Sequence, residues 1–256
     1  MGHNAAMNDR QAKLRLRALE LIRKFGKGSS GRVLSAIDLI EGLYFGTENG
    51  RQIFSHNSLV PQEEDRDFFI LSKLEALPAL YAVLEEEQYN LPELLPMLPN
   101  RKVPGVELTS NEHAYGLIYA VGIAQAIQMQ RKNQHVFCLA GDYELRYGRA
   151  WEAIRLAGEQ RLDRLCLVID ENDARDQMIQ ERFEAFGWKV IKLANAHSHD
   201  EIVYSYMKAR ITQRKPACIW APTIKSAGVP FAERKPEYDD VVYSDTEMQE
   251  ITNILT

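Results

Sequence analysis

Short apolar runs alternate with longer amphipathic stretches along most of this chain. The apolar runs, which predict buried strands, cover residues 68–71, 136–140, 165–169, 188–193 and 217–221. The amphipathic stretches, which predict helices, cover residues 9–25, 35–46, a run from Pro78, 116–133, 149–159, 180–186, 200–212 and 246–255. Because helices alternate with apolar strands, the pattern predicts an α/β fold, a doubly wound and mostly parallel sheet flanked by helices. We expect residues 1–25 to be an N-terminal amphipathic helix packed on one domain formed by residues 26–256.

The most informative segment runs from residue 136 to residue 172. An apolar strand stops at Gly141-Asp142, a helix follows, and a second apolar strand stops at Asp170-Glu171-Asn172. In a parallel sheet both strand ends open on one edge, where ligands of doubly wound folds usually bind. Carboxylate and amide oxygens suit Mg²⁺ or Ca²⁺ better than zinc or copper. The alternative is that Asp142 and Asn172 merely cap helices or turns.

Composition narrows the classes of function. The chain has 256 residues, is 45% hydrophobic and 26% charged, and carries a formal net charge of −5, which argues against general attraction to nucleic acid. No apolar stretch approaches the roughly 20 residues that cross a bilayer, and no secretory signal is evident, so we expect a cytoplasmic protein that binds no membrane. The cysteines lie in or near apolar strands and predict buried thiols.

Several segments, in order and spacing, resemble the N-terminal, thiamine-diphosphate-binding domain of transketolase, especially the N-terminal subunit of split transketolases. The likeness covers roughly residues 26–230. The segments are LSAIDLIEGLYF (34–45), FILSKLEALPALYAVL (69–84), PGVELTS (104–110), GDYELRYGRAWEA (141–153), LCLVIDEN (165–172), FEAFGWKVI (183–191) and TIKSAGV (223–229). The resemblance implies a thiamine-diphosphate-binding fold of the diphosphate-domain type for residues 26–256.

The resemblance also implies the cofactors, thiamine diphosphate and Mg²⁺ (or Ca²⁺). Alignment with the family's Gly-Asp-Gly and Asn motif implies three metal ligands: the side chains of Asp142 and Asn172 and the backbone carbonyl of Ala174. The full set of cofactor-binding residues implied in this way is Gly141, Asp142, Tyr143, Asn172, Ser110, Asn111 and Lys225.

The chain departs from the family at the reacting centre. Tyr143 stands where the family has its second glycine, whose backbone approaches the diphosphate. The family's His-Pro aligns with Ser29-Ser30, and its Gly-His aligns with Leu74-Glu75. We predict that Ser29, Glu75 and His113 face the reacting centre as a changed catalytic set. The alternative is an inherited scaffold that binds cofactor weakly or not at all.

The resemblance further implies a partner. In this family a second domain binds the pyrimidine of the cofactor, and we expect neither that domain nor the C-terminal domain in this chain. We therefore expect a separately encoded pyrimidine-binding subunit, in a homodimer or heterotetramer, and an apolar surface that it covers.

The expected function is a transferase subunit that moves a two-carbon ketol or acyl unit. The alternative is a non-catalytic homologue with a structural or regulatory role. A nicotinamide-binding domain is disfavoured because no strand precedes G-x-G-x-x-G.

Overall fold

The computed structural model describes residues 7–172 and 178–256. The helices in these ranges are α1 (Asp9–Phe25), α2 (Ser30–Tyr44), α3 (Leu77–Glu86), α4 (Tyr115–Met129), α5 (Gly148–Glu159), α6 (Ile179–Ala185), α7 (His199–Arg210) and α8 (Asp245–Leu255). The strands are β1 (Thr47–Glu48), β2 (Arg51–Gln52), β3 (Phe68–Leu71), β4 (Val136–Gly141), β5 (Leu165–Glu171), β6 (Lys189–Lys192) and β7 (Ala217–Pro222). Short 3₁₀ turns cover Leu74–Ala76, Asp142–Arg146 and Pro236–Tyr238.

The main sheet contains five strands in the order β3-β4-β5-β7-β6, and every neighbouring pair is parallel. This arrangement confirms the predicted doubly wound α/β fold. Successive side chains of a strand point to opposite faces, so the interior strand β4 has to be apolar on both sides. Phe137 and Leu139 pack into one core cluster, whereas Val136 and Cys138 pack into the other.

Helices cover both faces of the sheet. Side chains of α1, α2, α3, α7 and α8 share the core cluster of Phe137, and those of α4, α5 and α6 share the cluster of Cys138. Helix α1 covers the range predicted for it and packs on α2 and α3 through its buried apolar side chains. The backbone N–H of Gln11 donates to the Asn8 side chain, and the backbone N–H of Asn8 donates to the Gln11 side chain. This pair of hydrogen bonds fixes the start of the helix.

Two local differences from the sequence prediction have physical causes. Helix α2 begins at Ser30 rather than Ser35, because the Ser30 hydroxyl donates to the Val241 carbonyl and Gly31 N–H donates to the Asp239 carbonyl. A small antiparallel hairpin, β1-β2, is not among the predicted elements, although its Asn49-Gly50 turn is typical of hairpins. Pro78 lies in the first turn of α3, as expected.

The carboxyl ends of the strands meet at one edge of the sheet. Gly141 pairs with Asp170, and Asp170 pairs with Ala221, so the residues that follow β4, β5 and β7 lie side by side. The three free cysteines are buried, as predicted: Cys138, Cys166 and Cys218. Within the described ranges, no helix combines the length and the apolar character needed to cross a membrane.

Candidate functional site

Asp142 and Asn172 lie next to each other at the carboxyl edge of the sheet. The backbone N–H of Asn172 donates to Asp142 Oδ2 at 3.2 Å, and the N–H of Tyr143 donates to Asp142 Oδ1 at 2.8 Å. The first of these bonds joins the residue that follows β4 to the residue that follows β5. Asp142 and Asn172 are therefore in direct contact. The carboxylate is nearly buried, with 7% of the residue exposed. Two hard oxygen donors at adjoining strand ends form a donor set that a divalent cation could use.

Lys73 is a site residue absent from the set predicted by sequence. Its side chain is fully buried, and its ammonium donates to Ser35 Oγ at 3.0 Å, Asp170 Oδ2 at 2.6 Å and Asn172 Oδ1 at 3.1 Å. All three donor protons of the ammonium are therefore used. The signal in the sequence is a lysine placed directly after the buried strand β3, at the edge of the sheet where ligands bind.

Both the oxygen and the nitrogen of the Asn172 side-chain amide form hydrogen bonds. Its oxygen accepts from Lys73, and its nitrogen donates to Asp170 Oδ1 at 3.0 Å and to Thr223 Oγ1 at 2.7 Å. The Thr223 hydroxyl also donates to Asp170. A carbonyl oxygen has two lone pairs, so one remains for a cation after Lys73 has taken the other. The network thus fixes where this oxygen points.

Glu144 joins three segments that surround the site. Its carboxylate accepts the hydroxyl of Ser72 at 2.7 Å, the N–H of Ala114 at 2.5 Å and the N–H of Gly141 at 2.8 Å. The side chain is fully buried, and burial raises the pKa of this carboxyl to about 7, although its three hydrogen bonds favour the charged form. Glu144 is a further site residue outside the predicted set, because its donors come from distant parts of the chain.

Tyr143 lies flat against the end of β4. A Cβ atom added to Gly141 would be 2.4 Å from Cε1 of the Tyr143 ring, so only glycine fits beneath the ring. The Tyr143 hydroxyl lies 2.7 Å from Glu75 Oε2 and 3.3 Å from His113 Nδ1. Burial, followed by the charges of Glu144 and Glu75, holds the pKa of the Tyr143 phenol far above its usual range. The hydroxyl therefore stays protonated at neutral pH.

The structure thus brings together two of the three residues predicted to be catalytic. Glu75 and His113 are bridged by Tyr143, and the guanidinium of Arg32 lies 3.5 Å from the other oxygen of Glu75. The imidazole of His113 meets the Tyr143 ring edge to face, with ring centroids 5.1 Å apart. We name the set Arg32, Glu75, Tyr143 and His113 the tyrosine cluster.

The third predicted catalytic residue, Ser29, lies at the rim of this cluster. Its hydroxyl donates to Asp240 Oδ1 at 2.6 Å, and the other oxygen of Asp240 is 3.4 Å from Arg32. Ser29 is therefore connected to Glu75 through Asp240 and Arg32. This arrangement gives Ser29 a place beside the cluster, but no direct contact with it within the described residues.

The other predicted cofactor-binding residues are more dispersed. Ser110 forms a local turn by accepting the N–H of Glu112 at 3.1 Å, and Asn111 is exposed. Within the described parts of the chain, neither residue has a hydrogen bond to Asp142 or Asn172. The ammonium of Lys225 lies 2.7 Å from Asp239. The predicted carbonyl ligand, Ala174, lies outside the described residues. Among the residues that are described, no group of three or more His, Cys, Asp and Glu side chains could hold a metal.

Comparison with known proteins gives a matching family model and similar chains. The family model described as "Transketolase, thiamine diphosphate binding domain" matches residues 7–255. The 6-deoxy-6-sulfo-D-fructose transketolase subunit SqwG of Clostridium sp. (strain MSTE9) is 35% identical over 243 residues, which cover 87% of this chain and 86% of that protein. One of the subunits of apulose-4-phosphate transketolase from Phocaeicola vulgatus is 28% identical over 241 residues, covering 86% of this chain and 83% of that protein.

Solved structures show the same fold. Transketolase from Leishmania mexicana superimposes with a TM-score of 0.88 at 22% sequence identity, and the match covers 99% of this chain but 42% of that one. The chain therefore spans less than half of that longer transketolase, and more than four fifths of each of the two bacterial relatives described above. With a family model that matches almost its whole length, this chain belongs to the transketolase thiamine-diphosphate-binding domain family.

Proposed function

We propose that this protein is the diphosphate- and metal-binding subunit of a split, transketolase-like enzyme that transfers a two-carbon ketol or acyl unit. The observation that carries the proposal is the direct contact between Asp142 and Asn172 at the carboxyl ends of β4 and β5. The resemblance to the family implies that these residues are its metal ligands, and the chain matches the family model over residues 7–255. The relatives named as transketolase subunits support a split enzyme.

The donor set fits the metal that anchors a diphosphate. Asp142 and Asn172 offer oxygens of the type that Mg²⁺ prefers, and the aromatic ring of Tyr143 lies against Gly141 rather than between them. Asp142 and Asn172 would hold the cation, and Lys73 would keep the oxygen of Asn172 in place. When bound, thiamine diphosphate supplies a nucleophilic carbon for the ketone donor. The chain's own residues would bind the diphosphate end, exclude water and move protons at Glu75 and His113.

A surface beside the site fits the expected partner subunit. Most of the exposed residues of α4 are apolar, with Gln128 as the polar exception, and the apolar ones, spaced three or four residues apart, are Tyr115, Ile118, Gly122, Ala126 and Met129. A helix of a soluble domain normally turns a polar face outward, so an apolar outer face indicates that another surface covers it. Helix α4 begins directly after His113 and Ala114. We propose that the pyrimidine-binding subunit covers this face and completes the site.

The second candidate function is a non-catalytic homologue that serves as a structural or regulatory partner. One observation favours it: Gly141 N–H and Tyr143 N–H are both used within the chain, by Glu144 and Asp142. Neither donor is therefore left for a diphosphate unless the loop rearranges, and the Tyr143 ring takes up room beside Gly141.

Calorimetry separates the two candidates. Thiamine diphosphate with Mg²⁺ is titrated into the chain alone and into the chain mixed with a separately encoded pyrimidine-binding subunit. Saturable binding that requires the partner supports the enzyme subunit. Absence of binding in both formats overturns it and leaves the non-catalytic homologue.

A further inference from the structure

The tyrosine cluster determines how His113 presents its two ring nitrogens. The Tyr143 hydroxyl has one proton, and it lies 2.7 Å from Glu75 Oε2 and 3.3 Å from His113 Nδ1. A carboxylate only accepts hydrogen bonds, so the proton of Tyr143 has to go to Glu75. The phenol oxygen then accepts the hydrogen bond from His113, which requires a proton on Nδ1.

The carboxylate that starts this chain of bonds is itself fixed. The Arg32 guanidinium lies 3.5 Å from Glu75 Oε1 and 3.4 Å from Asp240 Oδ2, so Glu75 Oε2 is the oxygen that accepts from Tyr143. The shorter bond, between Tyr143 and Glu75, has the usual length of an O–H···O hydrogen bond. The longer bond to His113 is the weaker one, so the direction of the whole chain is determined at its Glu75 end.

We propose that Tyr143 is a positioning residue that holds neutral His113 in the tautomer protonated at Nδ1, with Nε2 as the proton-accepting atom. Nε2 makes no hydrogen bond to the residues that the structure describes. A group that orients an imidazole through one nitrogen leaves the other as base, as in acyl-transfer triads. The use of Nε2 on a substrate hydroxyl rests on the proposed function, whereas the tautomer itself does not.

This role explains why a tyrosine can stand at position 143. The tyrosine side chain crosses from the end of β4 to Glu75 and His113, which come from the β3–α3 connection and the loop before α4. It therefore ties together segments that are separated by 68 and 30 residues of sequence. Phenylalanine would fill the same space beside Gly141 but would leave both neighbours without the hydroxyl.

The test is the tautomer of His113, measured by long-range ¹H–¹⁵N NMR on the full chain with ¹⁵N-labelled histidine, without thiamine diphosphate. His113→Gln identifies the His113 signals by their loss. In the native protein we expect the Nδ1–H form to dominate over the Nε2–H form. In Tyr143→Phe the ratio of Nδ1–H to Nε2–H should fall about fivefold, the factor equivalent to one hydrogen bond of about 1 kcal/mol.

Two further variants separate positioning from simple packing. Glu75→Leu removes the acceptor, so the Tyr143 hydroxyl is free to donate to Nδ1, and the Nε2–H tautomer should become the major form. Tyr147→Phe is the matched control: its ring centroid is 6.1 Å from that of His113, and no described hydrogen bond joins its hydroxyl to His113, so the native ratio should persist.

A native His113 found mainly as Nε2–H, or a ratio that stays unchanged in Tyr143→Phe and Glu75→Leu, would overturn the proposal. Unchanged signals of the other histidines in each variant show that the fold is intact. Because the measurement needs no cofactor, failure of thiamine diphosphate to bind leaves its result untouched. The two proposals can therefore fail independently.

Discussion

The ammonium of Lys73 lies 2.6 Å from Asp170 Oδ2, and neither side chain is exposed to solvent. A buried ion pair of this kind contributes little net stability by itself, because both charges have lost their water. Its importance lies in what the ammonium also contacts, the oxygen of Asn172 at 3.1 Å. The pair therefore links the stability of the sheet edge to the orientation of a proposed metal ligand.

Lys73→Met should destabilise the protein strongly, because it leaves the charge of Asp170 buried without its cation. Loss of one partner of a buried pair costs roughly 3–5 kcal/mol of unfolding free energy. Urea unfolding of the native protein and the variant measures this loss of unfolding free energy. The double variant Lys73→Met with Asp170→Asn should recover a large part of the loss, since no unpaired charge remains. Lys192→Met, at an exposed lysine of β6, should change stability by less than about 0.5 kcal/mol. Equal stabilities of the single and double variants would contradict the argument.

Glu144 should make stability depend on pH. Burial raises its pKa in the folded protein to about 7, from an ordinary value of 4.5. A raised carboxyl pKa means that the folded state binds more protons, so the contribution to stability is full below pH 4.5 and is lost as pH rises through 7. Between about pH 5 and pH 8 the loss amounts to roughly 2–3 kcal/mol, at about 1.4 kcal/mol for each pKa unit.

Glu144→Gln is the variant that isolates this effect. At about pH 5 Glu144 is protonated, and its hydroxyl oxygen can still accept a hydrogen bond, whereas the NH₂ group of a glutamine cannot. One of the three donors therefore loses its acceptor in the variant, which should be less stable at this pH. Its stability should also lose the dependence on pH that belongs to Glu144. Urea unfolding of both proteins at several pH values gives the difference, in which other titrating groups cancel. A difference that does not narrow towards alkaline pH would show that Glu144 does not titrate in this range.

Asp142→Asn tests the proposed metal site. Removal of the only carboxylate among the two proposed side-chain ligands should lower the affinity for Mg²⁺ with thiamine diphosphate at least roughly tenfold, since even outer-shell partners of metal ligands cost about 10–100-fold. Calorimetry is performed with the partner subunit present. Asp163→Asn, just before β5 and so at the opposite edge of the sheet, is the matched control and should bind as the native protein does. Equal affinity in Asp142→Asn would rule out Asp142 as a metal ligand.

The fold could be predicted from the sequence because β3, β4, β5 and β7 are largely buried on both faces. Such strands are continuous apolar runs, and β3, β4, β5 and β7 begin or end within two residues of the predicted positions. The start of α2 could not be predicted in the same way. Its first turn is held by Asp239 and Val241, some 210 residues further along the chain, and no local pattern reports such a contact.

The site was only partly predictable, for the same reason. Residues that follow strands, such as Asp142 and Asn172, are marked by the pattern itself, since parallel strand ends share one edge. Lys73 is marked only weakly, because its partners Asp170 and Asn172 are 97 and 99 residues away. The sequence predicts a backbone role alone for Tyr143, whereas the structure shows that its hydroxyl connects Glu75 with His113. The pattern of residues along the chain does not report contacts between side chains that are distant in sequence.

The apolar outer face of α4 should be the surface that meets the partner subunit. Ile118 lies near the centre of that face and is 42% exposed, so Ile118→Lys should leave the fold unchanged while placing a charge in the proposed interface. The cost of burying an unpaired ammonium should weaken association by at least roughly tenfold. Analytical ultracentrifugation of the mixed subunits measures the affinity. The matched control is Ile211→Lys, at the end of α7 on the opposite face of the sheet, where 68% of the isoleucine is exposed. If both variants associate like the native chain, the partner does not bind at α4. If both variants lose affinity for the partner equally, the loss comes from the added charge rather than from a contact at α4.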